Sequence, residues 1–271
     1  MPELPEVETT RRGIEPHVQG QTVRDVIVRQ PQLRWPVPKA LARKLVAQKI
    51  DAVERRGKYL LMRTQAGTAI LHLGMSGSLR IVDARVPPET HDHLDIVFTN
   101  GQALRLRDPR RFGAALWTET DPLAHKLLEP LGPEPLSDAF DTDYLYAKSR
   151  GRKGSIKEFI MNSHVVVGVG NIYASESLFR AGINPKRAAG RVSRARYEAL
   201  VKAIKDVLVE AIKQGGTTLR DFVREDGQPG YFRIRLKVYD RAGEPCPVCG
   251  TPIKQLVQGQ RSTYYCPVCQ R

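Results

Sequence analysis

The chain has 271 residues, and its 43 Lys and Arg outnumber its 29 Asp and Glu, so the formal net charge is +14. Hydrophobic residues make up 41% and charged residues 27%, a globular composition that argues against a disordered chain and suits about two domains. No run of about 18 apolar residues occurs, which excludes a membrane-spanning helix. The acidic N-terminal segment lacks the apolar core of a secretory signal, so we expect a cytoplasmic protein without a membrane partner.

The excess positive charge is spread along the whole chain. Residues 1–130 contain 20 basic and 15 acidic side chains, and residues 131–271 contain 23 and 14. A basic balance in both halves is typical of a long groove that binds nucleic acid. An anionic membrane surface and an ordinary solvated surface are the other interpretations of this charge.

The first half of the chain is predicted to be rich in β-structure. The predicted elements are helices over residues 5–12 and 38–46 and strands over residues 69–73, 78–82, 94–99 and 102–107. The loop Gly74-Met75-Ser76-Gly77 separates the first two strands. The last two are predicted to form a hairpin, because Asn100-Gly101 tolerates the positive φ angles of a two-residue type I′ turn.

A linker precedes a helical second half. Leu131-Gly132-Pro133-Glu134-Pro135-Leu136 contains two prolines and a glycine, which interrupt regular structure, and we predict a domain boundary there. From Ser193, a predicted N-cap, apolar residues recur with a 3.6-residue period as far as Ile212, and the pattern stops at Gly215-Gly216. This pattern predicts a helix with one face in the core.

All four cysteines lie near the C-terminus, in two pairs with the same spacing. Cys246-Pro-Val-Cys249 and Cys266-Pro-Val-Cys269 are separated by sixteen residues. Two such knuckles supply a closed four-sulfur shell for one structural Zn²⁺, with no open position for chemistry. Two disulfides or a redox pair are the alternatives. Residues 260–265, between the knuckles, are predicted to form a β-hairpin. This hairpin could present Arg261 to a phosphate or to an active site; the alternative is that Arg261 is an ordinary solvated arginine.

The N-terminal residues form a possible nucleophile. Proline at position 2 predicts removal of Met1, which leaves a secondary α-amino group. Such a group titrates near pH 8, so a useful fraction is neutral at pH 7 and can attack a carbonyl-type carbon. Glu3 is next to it and can act as a general acid or base. A simple helix start with acidic first-turn residues is the alternative.

Five motifs follow one another along the chain. They are Pro2-Glu3-Leu4-Pro5-Glu6-Val7-Glu8, Leu73-Gly74-Met75-Ser76-Gly77, Asp108-Pro109-Arg110-Arg111-Phe112-Gly113, Val169-Gly170-Asn171-Ile172-Tyr173-Ala174 and the four-cysteine ribbon. Together they closely resemble the bacterial formamidopyrimidine-DNA glycosylases, also called 8-oxoguanine DNA glycosylases. The resemblance runs the whole length of the chain, with each motif in the family's order.

The resemblance implies an α+β fold. An N-terminal β-sandwich with flanking helices is expected to precede a helical domain with a helix–two-turn–helix and a zinc-ribbon β-hairpin. The implied domains are the catalytic sandwich (1–131), the helical domain (132–216), a loop that caps the damaged base (217–236) and the zinc finger (237–271). The stretch from Ser155 to Asn184 resembles the helix–two-turn–helix, since residues 165–170 disfavour a helix and Asn171 begins the next one.

The resemblance also implies a bifunctional repair enzyme. Such an enzyme excises oxidised purines from duplex DNA through an N-terminal proline Schiff base and then cleaves the abasic strand by β,δ-elimination. By position, Pro2 corresponds to the nucleophile and Glu3 to the general acid/base. Lys58 matches the proton donor of β-elimination, and Arg261 matches the arginine of δ-elimination and phosphate binding. The implied partner is duplex DNA with oxidised purines or abasic sites, bound by a monomer.

The remaining matched residues concern DNA binding. Met75, Arg110 and Phe112 match the residues that fill the space left by a flipped nucleotide. The family's DNA-contact positions are occupied by His91, Arg110, Arg152, Lys153 and Asn171. His91-Asp92-His93 also fits a metal pair, although a structural role is more usual. The basic run 150–153 is interrupted by glycine where the family is rich in lysine, so which residue takes each phosphate contact is left open.

Two other functions compete with this interpretation. The endonuclease VIII branch of the same superfamily prefers oxidised pyrimidines and begins Pro-Glu-Gly-Pro, whereas this chain has Leu4. A zinc-ribbon DNA-binding protein without catalysis explains the charge and the cysteines. It gives no reason for Pro2-Glu3 together with Lys58.

Overall fold

The computed structural model of the protein describes residues 2–215 and 236–271. It divides into two compact units, of which the first contains the described residues up to Pro130 together with Gly215, and the second contains Leu131–Gln214 and the described residues from 236 onward. The predicted base-capping loop, residues 217–236, lies outside the described residues except for its last residue. Within the described ranges, no helix is long and apolar enough to cross a membrane.

The first unit contains two antiparallel four-stranded sheets. Its elements are α1 (Leu4–Val18), β1 (Val23–Val28), α2 (Lys39–Leu45), β2 (Ala52–Arg56), β3 (Tyr59–Thr64), β4 (Gly67–His72), β5 (Ser78–Asp83), β6 (Asp92–Phe98), β7 (Gln102–Arg107) and β8 (Ala114–Thr118). One sheet has the order β1-β6-β7-β5 and the other β2-β3-β4-β8. Both sheets and both helices contribute to one apolar core, which includes Ile14, Leu41, Leu60 and Phe98. The predicted β-sandwich with flanking helices is confirmed.

Helix α1 is longer than the sequence predicted. It continues past the expected end at Arg12 to Val18, although Gly13 and Pro16 both disfavour a helix interior. The reason is tertiary packing, because Ile14 and Val18 are fully buried on the core face of the added turns. Local propensity alone therefore placed the end of the helix too early.

The hairpin between β6 and β7 forms, but its turn differs from the predicted type. The Gly101 amide donates to the Phe98 carbonyl at 3.2 Å, and of the turn residues only Gly101 has a positive φ, +85°. These features define a three-residue loop with a type I turn and a glycine bulge. Asn100 acts as a side-chain acceptor instead, since its Oδ1 accepts from the Gln102 amide at 2.9 Å. The type I′ prediction is wrong at this position.

The second unit is helical and ends in a two-stranded ribbon. Its described elements are α3 (Thr142–Ser149), α4 (Ile156–Met161), α5 (Asn171–Arg180), α6 (Arg194–Lys213), β9 (Lys254–Gln258) and β10 (Arg261–Tyr265). Ser193 caps α6, since its side chain accepts from the Arg196 amide at 3.4 Å. Helices α4 and α5, joined by residues 162–170, form the predicted helix–two-turn–helix.

A type I′ turn does occur in the ribbon. Arg261 pairs with Gln258, and both turn residues have positive φ angles, +50° at Gly259 and +59° at Gln260. The hairpin predicted between the cysteine knuckles is confirmed. Arg261 lies at the first position after its turn and is exposed.

Candidate functional site

The N-terminal end of α1 carries two buried carboxylates. Glu3 is 2% exposed, and Glu6 is fully buried. They form a capping box, in which the Glu3 amide donates to Glu6 Oε2 at 2.8 Å and the Glu3 carboxylate accepts from the Glu6 amide. Pro2, directly before the helix, is also buried. An α-amino group on Pro2 would therefore adjoin a carboxylate that the helix start holds in place.

Another carboxylate of α1 holds the turn that carries Lys58. Arg55 donates from Nε to Glu8 Oε2 at 3.1 Å and from Nη1 to the Gly57 carbonyl at 3.0 Å. Burial raises the pKa of the Glu8 carboxyl, but hydrogen bonds from arginines such as Arg11 lower it by more, so the net shift is downward. The ionised Glu8 thus ties the β2–β3 turn to the first helix.

His72 lies opposite Tyr59, with the two ring centroids 4.8 Å apart. Burial, reinforced by the positive charges of Lys58 and Arg34, lowers the pKa of His72 to about 4. The ring is therefore neutral at pH 7, and its Nδ1 accepts a hydrogen bond from the Gly74 amide at 3.0 Å. This imidazole connects the surroundings of Lys58 with the next loop of the chain.

Met75 and Phe112 lie on two adjoining loops. A Cβ atom on Gly74 would come within 2.4 Å of the Phe112 carbonyl carbon, and Gly74 has a φ of +67°, so glycine alone suits this position. Phe112 is 43% exposed, and the Arg110 guanidinium lies 5.0 Å from its ring centroid. The structure thus brings Arg110 and Phe112 together and places the loop of Met75 next to theirs.

The carboxylate of Asp108 holds both of these loops. It is fully buried, and its Oδ2 accepts from the Gly113 amide at 2.7 Å. Its Oδ1 accepts from the Ser76 hydroxyl at 3.2 Å and from the Arg110 amide at 3.3 Å. A buried carboxylate requires such donors, because a buried ion without partners costs several kcal/mol, on the order of its desolvation penalty. Asp108 therefore fixes the loop of Met75 relative to that of Phe112.

The two histidines around Asp92 have separate structural environments. His93 is buried, and its Nε2 lies 2.9 Å from the Asp108 carbonyl oxygen. His91 is exposed with a φ of +75°, and its carbonyl accepts from the Asp108 amide at 3.0 Å. Asp92 pairs with Arg80 at 3.4 Å. These partners favour the structural interpretation over a metal pair, and they place exposed His91 beside Asp108.

In the second unit a buried lysine joins the start of α5 to the ribbon. Lys157 is 1% exposed, and its Nζ donates to Asn171 Oδ1 at 2.6 Å, to the Thr263 hydroxyl at 2.7 Å and to the Ser262 carbonyl at 3.1 Å. The Asn171 amide nitrogen also donates to the Ser262 carbonyl at 2.9 Å. Arg261 directly precedes these ribbon residues, so Lys157 fixes the relative positions of Asn171 and Arg261.

The basic run 150–153 contains residues with different environments. Arg150 Nη1 donates to the Gly190 carbonyl at 2.8 Å, Nη2 donates to the Val192 carbonyl at 2.9 Å, and the guanidinium stacks 3.9 Å from the Tyr146 ring centroid. Its donors are thus directed at backbone carbonyls. Arg152 and Lys153 are exposed, so they remain the candidates for phosphate contacts.

The four cysteine sulfurs form one cluster. Their Sγ atoms all lie within 4.8 Å of one another, with Cys246 and Cys269 at 3.9 Å and Cys249 and Cys266 at 3.5 Å. Tetrahedral Zn²⁺ with bonds of about 2.3 Å separates its sulfurs by about 3.8 Å. A disulfide needs about 2.05 Å. The cluster therefore suits one structural zinc ion, and the four cysteines are free of disulfides.

Models of known families match most of the chain. Residues 1–115 match the formamidopyrimidine-DNA glycosylase N-terminal domain, residues 131–223 the formamidopyrimidine-DNA glycosylase H2TH domain, and residues 243–271 a zinc finger found in FPG and IleRS. The chain belongs to the formamidopyrimidine-DNA glycosylase family. The family resemblance inferred from the five motifs is thereby confirmed.

Relatives and solved structures of this family agree over their full length. Formamidopyrimidine-DNA glycosylases of Thioalkalivibrio sulfidiphilus and Stutzerimonas stutzeri are 62% and 60% identical, and each alignment covers 100% of both chains. The MutM (Fpg) structure from Thermus thermophilus is 38% identical with a TM-score of 0.89, covering 99% of this chain and 98% of that one. Lactococcus lactis Fpg in complex with abasic-site DNA is 33% identical with a TM-score of 0.92, covering 99% of both.

The residues predicted for this family's chemistry are divided between the two units. The first unit carries Pro2, Glu3, Lys58, Met75, His91, Arg110 and Phe112, and the second carries Arg152, Lys153, Asn171, Arg261 and the four cysteines. Their roles remain predictions.

Three residues that hold the predicted functional segments in place were missed from the sequence. They are His72, Asp108 and Lys157. Asp108 opens a recognised motif, and His72 ends a strand next to a glycine-bounded loop, so both had a signal. Lys157 had none, since a lysine in a short helix is ordinarily exposed.

Proposed function

We propose that this protein is a bifunctional DNA repair glycosylase that excises 8-oxoguanine and formamidopyrimidines from duplex DNA and then cleaves the abasic strand. Beyond family membership, one observation carries the proposal: a buried carboxylate at the helix start adjoins the proline that would bear the free amine. Lactococcus lactis Fpg, a structural neighbour, has been solved with N7-benzyl-Fapy-dG DNA and with abasic-site DNA, which supports this substrate class.

The proposed first reaction takes place at the N-terminal amine. The neutral secondary amine of Pro2 attacks C1′ of the damaged nucleotide, the C1′–base bond breaks, and the base leaves with a proton. The Glu3 carboxylate, which has taken the proton of the attacking amine, then gives it to the sugar ring oxygen as the ring opens, which leaves an iminium between Pro2 and C1′. The capping box supports this role because it fixes the Glu3 carboxylate at the helix start, in the residue that directly follows Pro2.

The proposed lyase reaction follows from the iminium. Its positive charge acidifies the C2′ protons, and loss of one of them expels the 3′ phosphate in β-elimination. A second elimination expels the 5′ phosphate. Lys58 is assigned as the proton donor of the first step and Arg261 as the phosphate-binding residue of the second. The Glu8–Arg55 pair supports the Lys58 assignment because it fixes the turn that presents this lysine.

The remaining residues are proposed to grip the DNA. Met75, Arg110 and Phe112 fill the space left by the flipped nucleotide, which the contact of Arg110 with Phe112 and the exposure of Phe112 support. His91, Arg152, Lys153 and Asn171 contact phosphates, while the zinc ion stabilises the ribbon that carries Arg261. The protein acts as a monomer, and we assign residues 1–131, 132–216, 217–236 and 237–271 to the catalytic, helical, base-capping and zinc-finger segments.

The decisive experiment traps the covalent intermediate. The mature protein is incubated with duplex DNA that contains 8-oxoguanine opposite cytosine, and borohydride is added to reduce the iminium. We expect a stable protein–DNA adduct that peptide mass analysis maps to Pro2. Pro2→Gly should lose the adduct, whereas Pro16→Ala, which replaces another proline of the same helix, should keep it.

Two other outcomes would favour the competing functions. A folded sample that binds DNA but forms no adduct would refute catalysis and favour a zinc-ribbon DNA-binding protein. Faster trapping on a duplex with an oxidised pyrimidine than on 8-oxoguanine would instead assign the endonuclease VIII substrate preference.

A further inference from the structure

A segment of the second unit accumulates positive charge without acidic residues. Between Glu176 and Glu198 the chain has six basic residues and no Asp or Glu; they are Arg180, Lys186, Arg187, Arg191, Arg194 and Arg196. Arg180 pairs with Glu210 and Arg194 with Asp143, each at 2.7 Å. Lys186, Arg187 and Arg191 are exposed, and no carboxylate within the described residues forms an ion pair with them. We call residues 184–191 the basic loop.

The basic loop lines an open depression of about 550 Å³, together with Arg271. Its lining consists of cations, Asn184 and Ala188, with no acidic side chain. Burial, followed by repulsion from the charge of Arg187, lowers the pKa of Arg196 nearby. A concave surface of one charge sign concentrates anions of the opposite sign.

The backbone of the basic loop is held in place independently of its charged side chains. Arg150 donates to the carbonyls of Gly190 and Val192 at 2.8 and 2.9 Å, and the Ile156 amide donates to the Arg187 carbonyl at 2.7 Å. A preformed loop loses little conformational entropy when it binds a ligand. The cations of the loop are therefore displayed on a preorganised framework.

The same hydrogen bonds join the basic loop to residues already considered for DNA binding. The Gly190 amide donates to the Arg152 carbonyl at 2.9 Å, and the Ala189 amide donates to the Gly154 carbonyl at 2.9 Å. The carbonyls of Arg152 and Gly154, on either side of Lys153, are thus hydrogen-bonded to the loop, and the side chains of Arg152 and Lys153 are exposed as well. The exposed cations at positions 152 and 153 are therefore held beside the basic loop by backbone hydrogen bonds.

We propose that the basic loop binds the phosphodiester backbone of duplex DNA as a continuation of the Arg152–Lys153 surface. The inference rests on duplex DNA being the partner, as proposed above, and not on catalysis. Contacts to phosphates carry no base information, so the loop strengthens binding to damaged and undamaged DNA alike. It does not take part in lesion recognition or in the reaction.

The test is the salt dependence of binding to an undamaged duplex of about 30 base pairs, a length that covers about three helical turns. The variant Lys186→Gln/Arg187→Gln/Arg191→Gln should lower the slope of log K against log salt by about 2 to 3, since each phosphate contact contributes about 0.9. Affinity near 0.1 M salt should fall about tenfold or more. The same loss is expected for a duplex that carries an abasic-site analogue.

Two matched variants separate charge from structure. Lys44→Gln/Arg85→Gln/Lys202→Gln removes the same charge from residues that are ion-paired with Glu119, Asp83 and Asp206, and it should keep the slope. Lys186→Arg/Arg187→Lys/Arg191→Lys keeps the charge and should also keep the slope. If the variant Lys186→Gln/Arg187→Gln/Arg191→Gln shows the same slope and affinity as the charge control, the proposal is overturned. The rate of base excision at saturating enzyme should not change in any of these variants. A failure of the proposed enzymatic function would instead appear as absent base excision in the parent protein, whatever the result of the binding test.

Discussion

The two units hold their predicted functional segments with buried side chains of opposite charge. In the first unit, the Asp108 carboxylate accepts hydrogen bonds from two backbone amides and a hydroxyl of the loops that carry Met75 and Phe112. In the second unit, the Lys157 ammonium donates to a carbonyl, a hydroxyl and a side-chain amide oxygen at the start of α5 and in the ribbon. Each charge is almost inaccessible to water.

The sign of each buried charge follows from the groups that it serves. Tight turns such as residues 108–113 direct N–H groups inward, and an anion satisfies several of them at once. Beside the ribbon the inward groups are oxygens, and only a cation with several donors satisfies three of them. The comparison therefore predicts that each segment loses its order when its own charge is removed, while the other unit keeps its structure.

Metal removal should disturb the second unit most strongly. A strong chelator should release one zinc ion per chain and disorder the ribbon, because structural zinc contributes on the order of 10 kcal/mol to folding. Hydrogen exchange should accelerate in residues 254–265 and remain slow in the β6–β7 hairpin of the first unit. Zinc content and exchange are measured on the same sample. A ribbon that stays protected after complete zinc loss would contradict the structural role of the metal.

Replacing Lys157 by methionine should have the next largest effect. The substitution removes the Lys157 donor from three oxygens, of which only the Ser262 carbonyl keeps another donor within the described residues, Asn171 Nδ2, and we expect a loss of about 3–5 kcal/mol in the free energy of unfolding of the second unit. Lys202→Met is the control, since this exposed lysine pairs with Asp206 on the surface of α6, and its replacement should cost less than about 1 kcal/mol. Equal denaturation midpoints for the two variants would show that the buried ammonium has no special role.

The first unit should lose stability in mild acid through His72. Its pKa is about 4 in the folded protein against 6.5 normally, so between these values the unfolded chain binds a proton that the folded chain does not. The free energy of unfolding should therefore fall as the pH drops from 6.5 to 4, by at most about 3 kcal/mol. His72→Gln keeps an acceptor for the Gly74 amide but does not titrate. If the free energies of unfolding of the parent protein and of His72→Gln change in parallel between pH 6.5 and 4, the proposed contribution of His72 is excluded.

Replacing Asp108 by asparagine should have the smallest of the four effects on stability. Asparagine keeps the shape of the aspartate side chain, but its amide N–H group faces one of the three donors. This mismatch should lower the free energy of unfolding by about 2 kcal/mol. We also expect faster hydrogen exchange at the Gly113 amide and slower base excision, since the loops of Met75 and Phe112 lose their common anchor. Asp206→Asn, on the exposed face of α6, is the control. Unchanged exchange at Gly113 would show that the carboxylate does not fix the loops.

Features determined by nearby residues were predicted from the sequence. The β6–β7 hairpin, the Ser193-capped helix and the cysteine cluster each depend on short-range spacing, and all three are confirmed. The motifs also identified the family before any geometry was known.

Features determined by distant residues were not predicted. Helix α1 reaches Val18 because the core buries its last turns, and the turn at residues 99–101 follows the register of its strands. Lys157 is buried because residues more than 100 positions later supply its acceptors, and no local pattern reveals such partners. The residues that hold the predicted functional segments in place are therefore the least visible in the sequence.

Arg150 has a consequence for the basic loop. Because it fixes residues 189–192 through their carbonyls, the side chains at positions 186, 187 and 191 can change without altering the path of the chain. With the DNA-binding role proposed for the basic loop, the time that the protein spends on undamaged DNA would be set at these positions while the fold and the chemistry remain the same. Fewer charges there would shorten each visit and favour transfer to new sites, whereas more would favour sliding.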